Sequence, residues 1–366
     1  MQDALFPDLF PDDDSGQAGK PAAPPAPEES SRPEPARRAK VRPQPPSPEH
    51  VALAQRLPAH LRLGASSWNF PGWEGLVWDS DYAEAVLSKH GLAAYAQHPL
   101  FRTVSLDRAF YRPLSSIQYA AYAAQVPDDF RFVVKAPSVV ADALVRGESG
   151  RGLQPNPLFL DPQTAAREFV QPALDGLGHK LGALVFQLSP LPQQLLRQMP
   201  EVLARLAAML QALPALAPQA PDGVIAVEVR DAAFLSPALA EVLREAHATY
   251  CLGLHAKLPP IEAQLPMLRA LWPGPLVCRW NLHRRHGAYG YEDAKKLYSP
   301  FDKLVDPDPH TRAVLARVMA GTAGAGQNVY VTIGNKAEGS SPLTVAALAD
   351  EVLSAIKAAP AGRGGG

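Results

Sequence analysis

Residues 224–230, VIAVEVR, decide how this chain is read. Successive side chains of a β-strand face opposite sides. Ile225, Val227 and Val229 therefore share an apolar face, while Ala226, Glu228 and Arg230 share the other, which turns charged toward the C-terminal end. Seven further runs end in the same way: LRLGAS from Leu61, RTVSLD from Arg102, RFVVKA from Arg131, ALVFQL from Ala183, TYCLGLH from Thr249, LVCRWN from Leu276 and NVYVTIGN from Asn328. Helix-length segments with Leu/Ala periodicity separate them, over 82–97, 115–125, 164–176, 193–213, 236–247, 261–271, 291–298, 310–320 and 343–358. Asp161-Pro162 marks one helix start, a capping carboxylate before a proline in the first turn. Eight strand–helix alternations predict an α/β fold, a (β/α)8 TIM-type barrel, whose active site would sit where the strands end. An open doubly wound sheet is the alternative, but no Gly-rich phosphate loop follows any strand.

Parity places the candidate site. Ser105 and Asp107, Lys135, Gln187, Glu228 and Arg230, and Arg279 and Asn281 all fall on the inward face of five different strands. So many polar groups at one end of a barrel core are costly unless they satisfy one another or bind something. Glu228 and Arg230 read either as an internal ion pair that braces the mouth or as an acid/base group beside an anion-binding cation. Lys135 as a Schiff-base amine is the lesser reading, because carboxylate neighbours are expected to keep it protonated.

Around that set lie loops with chemistry of their own. SSWNFPGWEGLVW after the first strand carries Trp68, Phe70, Trp73 and Trp78, either to stack on a ligand or to plug the barrel end. Phe110, Tyr111 and Arg112 follow the second strand, with Tyr111 read as ligand-facing. Asn335 and Lys336 follow the last strand, where barrels often bind phosphate, between Gly334 and Gly339. His283 and His286 form a His-x-x-His pair with no nearby carboxylate on the same element. The inward set holds only two acidic residues, so no metal and no cofactor is expected.

The blocks GASSWNFPGWEGLVW, TVSLDRAFYR, PDDFRFVVKAP, KLGALVFQLSP, AVEVRDAAF and NKAEGSSPLT occur in this order between Leu61 and Ala358. In that order they resemble the DUF72 (YecE-like) family, and RWNLH followed by YGYEDAKKLYSPFDKLVDPDP is similar to a subgroup of it. The resemblance implies a TIM-type barrel and supplies no reaction. Two positions depart from the family pattern. Ser105 and Asp107 stand where Glu and Asn are usual, and Gly334-Asn335 stands where the Asn is paired. Asp107 returns a negative charge to the face from which Ser105 removes one, and a barrel that keeps its pocket without activity is the corresponding alternative.

With 35 basic and 36 acidic residues the chain has no bulk field to draw it to nucleic acid or membrane. The two cysteines, Cys251 and Cys278, lie inside apolar runs and suggest no disulfide framework. No secretory leader and no bilayer-length apolar stretch is visible, so the expected location is cytoplasmic. Residues 1–50 are rich in Pro, Ala, Ser and acidic residues and read as a disordered tail, ahead of a barrel over 51–360 and a frayed end over 361–366. The tail opens with Gln2, Leu5 and Phe6 in QDALF, similar to the pentapeptide with which bacterial proteins dock on the DNA sliding clamp. Two functions are therefore expected. The first is a metal-independent hydrolase or lyase acting on an anionic, phosphate-bearing or sugar-like small molecule. Glu228 and Asp107 would be its acid/base pair, with Lys135, Gln187, Arg230, Arg279, Asn281, Tyr111, Trp68 and Asn335 binding substrate. The alternative is a non-catalytic or nucleic-acid-associated module recruited through the tail.

Overall fold

The structure is a computed structural model that describes residues 40–146 and 152–358. All eight runs form strands: β1 (Leu61–Ala65), β2 (Thr103–Leu106), β3 (Arg131–Lys135), β4 (Leu181–Gln187), β5 (Val224–Glu228), β6 (Thr249–Leu254), β7 (Leu276–Trp280) and β8 (Val329–Ile333). Every strand pairs in parallel with the next, and β1 pairs with both β2 and β8, so the sheet closes and the open-sheet alternative is excluded. The surrounding helices are α1 (Pro48–Arg56), α2 (Glu84–His90), α3 (Ser116–Ala123), α4 (Gln171–Leu177), α5 (Met199–Gln211), α6 (Pro237–Glu245), α7 (Ile261–Ala270), α8 (Tyr291–Tyr298), α9 (Pro309–Gly324) and α10 (Ser341–Ala358), with shorter helical turns between them. None of them is long and apolar enough to cross a membrane.

Local chemistry accounts for the helix ends. Asp161 caps its helix as expected, its Oδ1 accepting from the Thr164 amide at 2.8 Å. The segment expected as one helix over 193–213 is split into Gln193–Arg197 and α5, with Pro200 in the first turn of the second piece. Proline lacks the amide proton that would have continued the preceding turn. An antiparallel pair, Leu144–Arg146 with Gly152–Pro155, was not foreseen from the sequence. The folded body also begins earlier than the expected boundary at residue 51. Val41 is buried, Pro43 bridges to Trp78, and the Gln44 amide donates to the Val77 carbonyl at 2.8 Å. A proline-rich composition concealed this clamp. Residues 1–39, including Gln2, Leu5 and Phe6, and the expected frayed end at 361–366 lie outside the described residues.

The barrel interior has three layers. Val133, Ala183, Val185, Ala226, Cys251, Val277 and Tyr330 form an apolar middle layer, separate from the strand–helix core outside. Val104, Phe132, Leu184, Val227, Cys278 and Trp280 belong to that outer core, as strand parity requires. Below the middle layer, Asp222 holds two interior arginines, Arg62 at 3.0 Å and Arg131 at 2.8 Å, while the Tyr330 hydroxyl donates to the Asp222 carbonyl at 2.8 Å. This polar plug shuts the N-terminal end. Above the middle layer the interior turns polar again, at the C-terminal ends of the strands.

The β1–β2 seam is the shortest in register among the pairs next to β1, with Gly64 opposite Thr103 and Ala65 opposite Val104. A Cβ on Gly64 would lie 1.8 Å from the Thr103 carbonyl oxygen, so glycine is required for the strands to approach. Tyr95 completes the seam from outside the sheet. Its hydroxyl accepts from the Ala65 amide at 2.7 Å and donates to the Thr103 carbonyl at 3.0 Å. Tyr95→Phe leaves both backbone groups buried without this partner, and urea unfolding should register a loss of about 2–3 kcal/mol. A change within about 0.5 kcal/mol, the usual range for a neutral surface substitution, would mean that the phenol does not hold the seam.

Candidate functional site

Arg279 stands at the centre of the mouth, almost wholly buried near the end of β7. Its Nη1 donates to Glu228 Oε2 at 2.7 Å and to Gln187 Oε1 at 3.0 Å. Its Nη2 donates to both Asp107 oxygens, at 2.8 and 2.7 Å. One guanidinium thus ties together residues of β4, β5 and β7 with Asp107, the first residue after β2. Arg230 adds a second cation: its Nη2 donates to Gln187 Oε1 at 2.8 Å and lies 2.7 Å from Glu228 Oε1. That last contact is an ion pair without hydrogen-bond alignment, for among the described residues Glu228 Oε1 and Arg230 Nε both lack a hydrogen-bond partner. Gly253 of β6 makes room beside the carboxylate, since a Cβ there would lie 3.4 Å from Glu228 Cγ and 3.1 Å from Leu258.

The two carboxylates differ in access. Glu228 is sealed, whereas a third of the Asp107 side chain is exposed and its Oδ1 also accepts from Ser105 Oγ at 2.7 Å. Burial alone would raise the Glu228 carboxyl, but Arg230 and Arg279 outweigh it and hold the group below the usual carboxylate range. Burial opposes ionisation of Asp107 as well, and Arg279, Lys135, Ser105 and Arg230 together keep it low. Arg279 is held more firmly charged than usual, because Asp107 and Glu228 overcome the cost of its burial.

Lys135 corrects an expectation. Its carboxylate neighbours do not keep it protonated: burial pushes its ammonium down to about 7. Asp107 and Glu228 pull the other way, but Arg279 and Arg230 repel the added charge. The geometry explains the balance. Both carboxylates are already bonded to guanidinium groups, and Lys135 Nζ instead rests on the Phe110 ring, 3.4 Å from its centroid. Among the described residues it makes no ion pair.

The remaining sequence candidates separate. Asn281, one residue beyond β7, is half-buried, and no hydrogen bond of its side chain is found among the described residues. Tyr111 is exposed. Trp68 packs edge-on against Tyr122 at 5.9 Å, and its Nε1 has no hydrogen-bond partner among the described residues. Beside it, a cavity of about 30 Å³ bounded by Ser66, Ser105, Asp107 and Tyr122 is of a size for one water. Asn335 sits behind the mouth: its Oδ1 accepts from Trp73 Nε1 at 3.2 Å and from the Ser341 amide at 2.8 Å, joining the first loop to α10. Trp73 and Trp78 are wholly buried, with the Trp73 ring against Trp78, Tyr95 and Phe101, so this half of the aromatic loop packs into the strand–helix core outside the barrel. His286 Nε2 is hydrogen-bonded to the Tyr298 hydroxyl at 2.6 Å, which donates in turn to Asp306. Among the described residues no three His, Cys, Asp or Glu gather in a metal-binding group.

Two members of the mouth escaped the sequence reading. His255 follows β6 on the inward parity of Cys251 and Gly253, a signal that was present in TYCLGLH. It is buried, accepts at Nδ1 from the Lys257 amide at 3.0 Å, and is pushed down to about 4 by burial and by Arg230. It is therefore a neutral ring with its proton on Nε2. Tyr291 opens α8, its ring 5.3 Å from that of His255 and its hydroxyl in the field of Arg230. A helix residue that reaches over the mouth carries no strand-parity signal.

The depressed Lys135 value fixes a pH dependence. An unfolded lysine titrates near about 10.4, so between there and about 7 the unfolded chain binds the extra proton and the native protein does not. Stability must rise with pH across that window. Lys135→Met removes the penalty, so its stability advantage over wild type should be constant below about pH 7 and shrink toward zero by about pH 10.5. Urea unfolding at several pH values tests this, and a pH-independent difference would contradict it.

A family model described as "Protein of unknown function DUF72" matches residues 62–363. A crystal structure of a DUF72 family protein from Thermotoga maritima MSB8 is similar at 16% identity and TM-score 0.48, over 80% of this chain and 99% of that one. One of a DUF72 family protein from Enterococcus faecalis V583 is similar at 16% identity and TM-score 0.47, over 81% of this chain and 95% of that one. No curated protein matches the chain. Because the family model runs from the second residue of β1 to beyond the end of α10, the chain belongs to the DUF72 family.

Proposed function

We propose that the mouth of the barrel binds a small anionic molecule, phosphate-bearing or sugar-like, and carries out metal-independent proton transfer on it, as in a hydrolase or lyase. The observation that carries this reading is the division of labour among the charges. Asp107 and Glu228 are bonded to arginines, and the Lys135 amine is left without a counter-ion among the described residues. An incoming anion meets Arg230, whose Nε has no hydrogen-bond partner among the described residues, and brings its reacting end to the Lys135 amine. Gln187, held between the two guanidinium groups, and Asn281 orient the substrate.

In this reading the proton-transfer residues are Lys135 and Asp107. An amine that titrates near neutrality has the value a general base needs, whereas Glu228 is sealed and serves to fix Arg279 and Arg230. Ionised Asp107, one-third exposed, is the second acceptor.

Calorimetric titration of the full chain with a panel of small phosphorylated and carboxylated compounds tests the site. At least one should bind, and Arg230→Gln and Lys135→Ala should each weaken it tenfold or more, about 1.4 kcal/mol. If both variants bind the same compound as tightly as wild type, the mouth is not where it binds.

A further inference from the structure

We propose that Lys135 is a nucleophile, forming an imine with the carbonyl carbon of a small carbonyl-bearing anion whose charged end is held by Arg230. The proposal rests on the reading of the mouth as an anion site and adds the substrate class, an aldehyde or ketone that also carries a carboxylate or phosphate.

Three observations lead here. Lys135 is the last residue of β3, on the inward face, so its amine emerges at the mouth. Its Nζ lies 3.4 Å from the centroid of the Phe110 ring, so that side of the amine is covered by an aromatic face and not by a carboxylate. The groups best able to quench it are engaged elsewhere, Asp107 with Arg279 and Ser105, and Glu228 with both arginines. An amine flanked by other cations and partly withdrawn from water is the arrangement that activates lysine toward carbonyl carbon. Its depressed value agrees with that placement: near pH 7 its free-base fraction exceeds that of an ordinary surface lysine by about 10³.

The step balances within the protein. The Nζ lone pair adds to the carbonyl carbon as the C=O π pair moves onto oxygen. Both Nζ protons end on that oxygen, which leaves as water, so amine and carbonyl give imine and water with no oxidant or reductant. Asp107, beside the amine and partly exposed, is placed to carry a proton between nitrogen and oxygen.

Glyoxylate, a carboxylate that bears an aldehyde, is the probe. The full chain is incubated with it at pH 7, reduced with borohydride and mapped by peptide mass spectrometry. Carboxymethyl-lysine should accumulate at Lys135 at least tenfold over exposed Lys89 and Lys295, and should be suppressed by oxalate. It should be absent in Lys135→Met, a substitution that keeps the packing on Phe110. Labelling spread evenly over the exposed lysines overturns the proposal. If oxalate binds by calorimetry and Arg230→Gln removes that binding, but no adduct forms at Lys135, the imine fails and the anion site stands. If oxalate does not bind and no adduct forms, both readings fall. An adduct that forms equally well with acetaldehyde and is indifferent to oxalate overturns the anionic substrate class.

Discussion

The mouth of this barrel depends on one buried guanidinium. Arg279 bonds to Glu228, Gln187 and Asp107, and so fixes the relative positions of side chains from four of the eight strand ends. Burying a charge is costly, and a buried ion pair often adds little net stability over apolar packing. Here the middle of the barrel is apolar and well filled, and continuing that packing upward would have served folding alone. The polar layer at the N-terminal end closes around Asp222, whereas the layer at the C-terminal end leaves Lys135 without a carboxylate of its own among the described residues. The same interior therefore holds a plug at one end and a chemically open group at the other.

The consequence for reactivity follows from which groups the arginines occupy. Glu228 and Asp107 are each held ionised by guanidinium neighbours, and neither is left to stabilise a lysine ammonium. Phe110, at the end of the helical turn after β2, takes the place of a carboxylate against Lys135. His255 is kept neutral by burial and by the positive field of Arg230.

Much of this was legible in the sequence, for a physical reason. A strand packed on both faces must alternate between two environments, so VIAVEVR and its counterparts expose their inward residues to simple parity. That logic found Asp107, Lys135, Gln187, Glu228, Arg230 and Arg279, and would have found His255 had parity been assigned along TYCLGLH as well. It was silent where contacts come from outside the strands. Tyr291 arrives from α8, Tyr95 stitches β1 to β2 from a helical turn, and the clamp of Val41 and Pro43 on the first loop is hidden in proline-rich sequence. Parity also cannot report who pairs with whom. Lys135 was expected to share its carboxylates, and only the geometry shows that the arginines take them.

The Arg279 network leaves Lys135 poised near neutrality, and the titration of its amine is the direct measurement of this. With lysine labelled by carbon-13 at Cε, one resonance, missing from Lys135→Met, should titrate near pH 7 while the others titrate near their ordinary value of about 10.4. If that resonance titrates with the rest, the Lys135 amine is an ordinary ammonium, and the arginines do not leave it poised for chemistry.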